Sequence, residues 1–110
     1  MFDDQAVQAL AALAHPLRLK IFRALVVVGF PGLNAGTIQE GVNVPPATLS
    51  FHLKELTKAG LVSQKRSGRN FIYRAAYAEM NSLLGYLTDN CCRGAECAVE
   101  TASAALECRC

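Results

Sequence analysis

Apolar residues recur along this chain with two periods, and the change of period marks out its parts. Phe2, Ala6, Ala9, Leu10 and Leu13 fall on one side of a helical wheel, with small alanines that allow another helix to approach closely. Asp3 or Asp4 suits the cap of this helix, because a carboxylate accepts orphan N–H groups and complements the helix dipole. The helix is expected to run to about Ala14, where His15-Pro16 interrupts it: the residue before a proline is pushed out of the helical region. Leu17, Ile21, Ala24, Leu25 and Val28 then resume helical spacing, with Arg18, Lys20 and Arg23 on the other side. Gly29-Phe30-Pro31-Gly32 reads as a loop, and Asn34 as the cap of a short helix through about Gly41.

A further helix opens at Pro46, where a missing N–H costs nothing and the fixed φ suits the first turn. It runs to Gly60, which suits the left-handed position past a helix end. Leu49, Leu53 and Leu56 lie within about 60° of one another on its wheel and form a narrow core face. His52 sits at the edge of that face, where a structural hydrogen bond is expected. The other side carries Ala47, Ser50, Phe51, Lys54 and Lys58. After Gly60 the period becomes two. Val62 to Arg66 and Phe71 to Arg74 read as strands of a hairpin around Ser67-Gly68-Arg69-Asn70. A last helix is expected from Ala76 to about Cys92, with Met80, Leu83, Leu84 and Leu87 as its apolar stripe.

Composition adds that 110 residues make one domain, and that 52% hydrophobic residues give more apolar surface than a small monomer needs. No run approaches a membrane span, and the start Met-Phe-Asp-Asp lacks the basic region of a signal peptide, so a cytoplasmic location is expected. Charge changes the picture more. Pro45 to Arg74 holds six cations and only Glu55 against them, a local +5 in a chain whose total is +2.

A helix with a small-polar outer side followed by a basic hairpin is the physical form of a winged helix-turn-helix, mainly α with a β-hairpin wing. Such a helix fits the major groove. Ala47, Thr48, Ser50 and Phe51 lie where base edges come within reach, and Phe51 can meet a thymine methyl. Lys54, Lys65, Arg66 and Arg69 are expected on phosphates. Double-stranded operator DNA is the expected partner. An enzyme is not expected: no Gly-rich phosphate loop, Cys–His nucleophile pair or paired-carboxylate site is in evidence. A dimeric interaction module without DNA binding is the bland alternative.

Thr-Leu-Ser-Phe-His-Leu-Lys-Glu-Leu at 48–56 with Ala-Gly-Leu-Val at 59–62, and the basic segment from Arg66 to Arg74, resemble the recognition helix and wing of the ArsR/SmtB metalloregulatory repressors. His-Pro-Leu-Arg-Leu-Lys-Ile at 15–21 resembles the opening of their second helix, with His15 a structural junction. The resemblance covers roughly residues 7–90. It implies a homodimer in which the last helix pairs with the first, and an inducer that releases DNA. In many such proteins a Cys-x-Cys pair binds the inducer in or just before the short helix, but residues 33–40 here contain no cysteine. The sensing site is therefore expected elsewhere, which divides the chain into a DNA-binding and dimerisation part at 1–92 and a cysteine-containing tail at 93–110.

All five cysteines lie in the last twenty residues: Cys91, Cys92, Cys97, Cys108 and Cys110. No C-x-x-C pair and no nearby histidine supports a zinc ribbon or a thioredoxin-type motif. In a reducing compartment they read as ligands or redox centres, and an all-thiolate set selects soft ions. The resemblance then makes As(III) or Sb(III) the expected inducer on Cys91, Cys92 and Cys97, with Cys108 and Cys110 either third ligands in place of Cys97 or spare thiols. On one continuous helix the first three would point at about 0°, 100° and 240° and fail to converge, so a break near Gly94 is expected. A thiol-based redox sensor on the same scaffold is the alternative.

Overall fold

The computed structural model of the protein describes residues 1–90. They form helices α1 (Asp3–Leu13), α2 (Pro16–Val28), α3 (Ala35–Val42), α4 (Pro46–Lys58) and α5 (Tyr77–Leu87), with strands β1 (Leu33–Asn34), β2 (Val62–Ser67) and β3 (Asn70–Ala75). The sheet is antiparallel in the order β1-β3-β2. This is a winged helix-turn-helix, as the sequence pattern predicts.

In α1 two expectations need correction. The cap position is Phe2, whose N–H donates to Gln5 Oε1 at 2.9 Å, and Asp3 and Asp4 lie inside the first turn, where they still complement the dipole. The buried stripe is Ala6, Ala9 and Ala12; Phe2, 80% exposed, and Leu10 face outward with Val7. The physical reason is close packing: alanines let the α1 backbone approach α2 and α4, and larger side chains on that line would hold it off.

His15 is extended, as a residue before proline should be, and its Nδ1 accepts the Leu17 N–H at 3.1 Å to cap α2. The junction role expected for it is the one it has. Within α2, Ile21, Phe22 and Leu25 are buried, whereas Ala24 is exposed and Leu17 and Val28 only half-buried, so the core stripe is rotated from the expected one.

The loop 29–32 leads into β1, which sequence periodicity cannot detect in two residues. Leu33 pairs with Tyr73 and Asn34 with Ile72. Gly32 makes this approach possible: its φ is +68°, and a Cβ there would sit 2.6 Å from the Tyr73 carbonyl oxygen. Asn34 caps α3 as predicted, its Oδ1 accepting the Thr37 N–H at 2.8 Å. The turn into α4 uses Asn43 in the left-handed region and a hydrogen bond from Gln39 Nε2 to the Val44 carbonyl.

α4 follows its sequence signals closely. Pro46 is its first residue, and Leu49, Leu53 and Leu56 are buried. Its end is a Schellman motif: Gly60 at φ +82° donates to the Thr57 carbonyl, and Leu61 to that of Leu56. The chain then enters β2, turns through Gly68-Arg69, and returns as β3 with Ser67 opposite Asn70 and Val62 opposite Ala75.

α5 departs from its predicted length. It stops at Leu87, short of Cys92, because the Thr88 hydroxyl donates back to the Leu84 carbonyl at 2.9 Å and Asn90 adopts a left-handed φ of 58°. Cys91 and Cys92, expected at the end of this helix, lie outside the described residues. Tyr77 fastens its start, the phenol donating to the Val26 carbonyl at 2.9 Å. Of the predicted stripe only Leu83 is buried; Met80 is half-buried, and Leu84 and Leu87 are each 54% exposed. Among the described residues no helix is long and apolar enough to cross a membrane.

Candidate nucleic-acid interface

One face of the molecule combines the outer side of α4 with the wing. Ala47, Thr48, Ser50, Phe51, Lys54 and Lys58 are all exposed there, while Leu49, Leu53 and Leu56 on the other side of the same helix are buried. The division follows from wheel position, since the apolar face fills the core and leaves the polar one outside. Between α4 and the wing lies an open groove of about 290 Å³, lined by Ser50, Lys54, Lys58, Gln64 and Tyr73 among others. Gln64 and Tyr73 belong to this surface although the sequence did not single them out. They are directly opposite each other in the β2–β3 register, a pairing visible only once the turn is fixed.

The wing cations divide into two kinds. Lys65, Arg66 and Arg69 are exposed, and Arg66 Nε donates to the Gly68 carbonyl at 3.1 Å, which holds its guanidinium against the tip of the hairpin. Arg74 is different: it is half-buried and its Nε donates to the Phe30 carbonyl, tying β3 to the loop after α2. One of the six cations counted in this segment is thus structural. The rest lie where extended polyanions can meet them.

On the flank of α4 away from the wing, His52 is buried and accepts a hydrogen bond at Nδ1 from Arg18 Nε at 3.0 Å. This fixes its neutral tautomer as the one protonated on Nε2. Its ring lies 4.5 Å from that of His15 and 5.4 Å from that of Phe51. Burial holds its pKa below the ordinary histidine range, the positive fields of His15 and Arg18 push the same way, and Glu55 opposes them. The guanidinium carbon of Arg18 stands 5.6 Å from the centre of the Phe51 ring. Arg18 lies 34 positions before His52 in sequence, and no local signal connects them.

Among the described residues no three His, Cys, Asp or Glu side chains are grouped to hold a metal ion. The candidate ligands Cys91, Cys92, Cys97, Cys108 and Cys110 lie outside the described residues.

The arrangement of three helices, a helix-turn-helix at α3–α4 and a β-wing defines the class as winged helix-turn-helix. A family model described as "Helix-turn-helix domain" matches residues 13–64. The chain is 36% identical over 73 residues to the HTH-type transcriptional repressor SmtB of Mycobacterium tuberculosis, an alignment covering 66% of this chain and 52% of that protein. It spans about half or less of the length of the curated relatives it matches. Among solved structures, an ArsR-like transcriptional regulator from Rhodococcus sp. RHA1 superposes with a TM-score of 0.68 at 28% identity, covering 76% of each chain. The homodimeric winged helix-turn-helix domain of a possible ArsR-family regulator from Mycobacterium bovis does so at 0.63 and 29%, covering 79% of this chain and 81% of that one. The relatives and solved structures named here are all described as regulators of transcription, and the structures share the winged helix-turn-helix fold of this chain.

Proposed function

We propose that this chain is a transcriptional repressor that binds operator DNA as a homodimer and releases it when As(III) or Sb(III) is captured by three thiolates, those of Cys91, Cys92 and Cys97, with Cys108 or Cys110 as the alternative third ligand. The observation that carries the DNA-binding part is the exposed face of α4 set beside a wing bearing Lys65, Arg66 and Arg69. Thr48, Ser50 and Phe51 read base edges, while Lys54 and the wing cations hold phosphates. Self-association is supported by the outward apolar residues of α1 and α5, and a two-fold dimer places two recognition helices for a pseudo-palindromic site.

The inducer reading rests on the chemistry of the thiols: soft trivalent metalloids bind all-thiolate sets, and this chain offers five cysteines within its last twenty residues. Cys91 follows Leu87, the last residue of α5, by four positions, so capture near the end of that helix acts on dimer geometry rather than on α4 directly. A hundredfold release requires only about 2.7 kcal/mol of coupling, and linkage demands that operator weaken metalloid binding by the same factor. The test is operator binding titrated with arsenite in excess reductant, in wild type and in Cys91→Ser, Cys92→Ser and Cys97→Ser variants. Release in wild type and its loss in the variants are expected. Release only on oxidation, with no response to arsenite under reductant, would replace the metalloid by thiol redox chemistry.

A further inference from the structure

The two flanks of α4 are not alike. With Leu49 at the centre of the buried face, Ser50, Lys54 and Thr57 turn toward the wing, and Phe51, His52 and Glu55 turn the other way, toward α2. A helix seated in the major groove has a phosphate backbone on each side of it. The wing supplies cations to one side. On the other side an open cleft of about 240 Å³ between α1, α2 and α4 is lined by Gln8, Arg18, Glu55 and Lys58 over an alanine floor.

We propose that Arg18 is a DNA-phosphate contact on this second flank and that His52 is the residue that positions it. The inference rests on the DNA-binding reading above and extends it to a residue outside α4 and the wing. Among the described residues Arg18 hydrogen-bonds His52, not Glu55, and only through Nε. Its Nη1 and Nη2 groups keep four N–H donors in a planar fork, the geometry that matches phosphate oxygens. The head is held beside Phe51, which is 53% exposed on the groove-facing side, so the fork lies at the rim of the proposed interface. Holding a long cationic side chain in place before binding lowers the ordering cost of the contact. His52 can do this only while Nδ1 is unprotonated. The charged and titratable groups that face it are His15 from the α1–α2 junction, Arg18 from α2 and Glu55 from α4 itself.

The experiment measures binding to a mixed-sequence DNA duplex long enough for a dimer, because phosphate contacts do not depend on base sequence. Arg18→Gln is the informative variant: its side-chain amide can still donate to His52 Nδ1, but the charge is gone. It is expected to melt as wild type does while its plot of log affinity against log salt loses about 0.9 of slope per protomer, so that affinity falls about 3.5-fold less per protomer between about 50 and about 200 mM salt. His52→Asn, whose Oδ1 can accept from Arg18 in place of Nδ1, should keep the wild-type affinity and slope, and His52→Leu, which keeps the charge but frees it, should weaken binding while losing less slope than Arg18→Gln. An unchanged slope in Arg18→Gln, with Arg69→Ala flattened in the same assay, overturns this proposal and leaves DNA binding standing. Absence of salt-dependent binding in wild type overturns both.

Discussion

α4 and α5 are both amphipathic helices with a leucine stripe, and the chain finishes one of them and not the other. In α4, Leu49, Leu53 and Leu56 are all buried within a single protomer, and what remains outside is polar, small or cationic. In α5 only Leu83 is buried, and Leu84 and Leu87 stay largely exposed, Leu84 in an open apolar cleft shared with Leu13, Leu19 and Val27. The difference lies in what each helix leaves for a partner. An exposed polar and cationic face suits a hydrated polyanion, whereas exposed leucines suit a second apolar surface. On the proposed reading, one protomer already presents its whole DNA-facing surface, whereas the apolar surface of α5 is left for a second copy to cover.

The largest expected effect tests the finished side. Leu56 is fully buried, and Leu56→Ala should lower unfolding free energy by about 3 kcal/mol through lost burial and a residual cavity. Leu84→Ala should cost well under half of that at protein concentrations too low for self-association. Urea unfolding at two protein concentrations checks both, and equal losses at the lower one would erase the distinction between the helices.

Next comes the unfinished side. Leu87→Lys places a cation in the last turn of α5, where the helix dipole favours it, so the isolated helix is not harmed. Self-association should nevertheless weaken at least about tenfold, since a half-exposed leucine is lost from each protomer. Sedimentation over a concentration series reads this directly. A dimer of undiminished strength would assign the apolar surface of α1 and α5 to something other than a second copy.

A smaller effect separates the two parts of the polar face. Arg69→Ala should flatten the salt dependence of DNA binding by about 0.9 per protomer and weaken all sequences alike. Ser50→Ala should leave the slope intact and change the preference between sequences by about 1 kcal/mol. Binding isotherms on an operator and on mixed-sequence DNA distinguish them. If Arg69→Ala changes neither affinity nor slope, the wing does not contact DNA.

Most of α4 and the wing was legible in the sequence because their signals are local: a proline at a helix start, a glycine past its end, leucines on one wheel face, a Gly-containing turn between strands. The short strand β1 was not, since two residues carry no period and its existence depends on Gly32 fitting against β3. In α1 the close approach through Ala6 and Ala9 is legible, but the large apolar Phe2 and Leu10 draw the stripe toward them on the wheel, and only the packing against α2 and α4 shows that the buried line continues through Ala12. In sequence Arg18 is one of three cations on the polar side of α2, and the contact that distinguishes it from Lys20 and Arg23 is tertiary. The end of α5 was placed too late because Thr88, Asp89 and Asn90 stop a helix through hydrogen bonds and backbone conformation rather than through a proline or glycine.

The smallest effect concerns the one buried polar side chain on the finished face of α4. His52 has its pKa lowered, first by burial and then by His15 and Arg18, with Glu55 opposing. Well above the ordinary histidine value of 6.5 the group is neutral in folded and unfolded chains alike, and the fold keeps the full benefit of the Arg18 hydrogen bond. As pH falls below that value the unfolded chain takes up a proton that the folded one resists. Between the two pKa values the unfolded state binds more protons, so stability rises with pH there and is lost as pH falls through the folded value. Protonation at Nδ1 also sets two donors against each other, His52 and Arg18, and removes the link between α2 and α4. Unfolding free energy measured from about pH 7.5 to about pH 5.5 should therefore decline in wild type and decline less in His52→Asn, which keeps an acceptor but does not titrate. The same comparison made with Leu87→Lys should keep the wild-type pH dependence, because the titrating group belongs to α4. Identical pH profiles for wild type and His52→Asn would show that the Arg18–His52 bond does not respond to protonation.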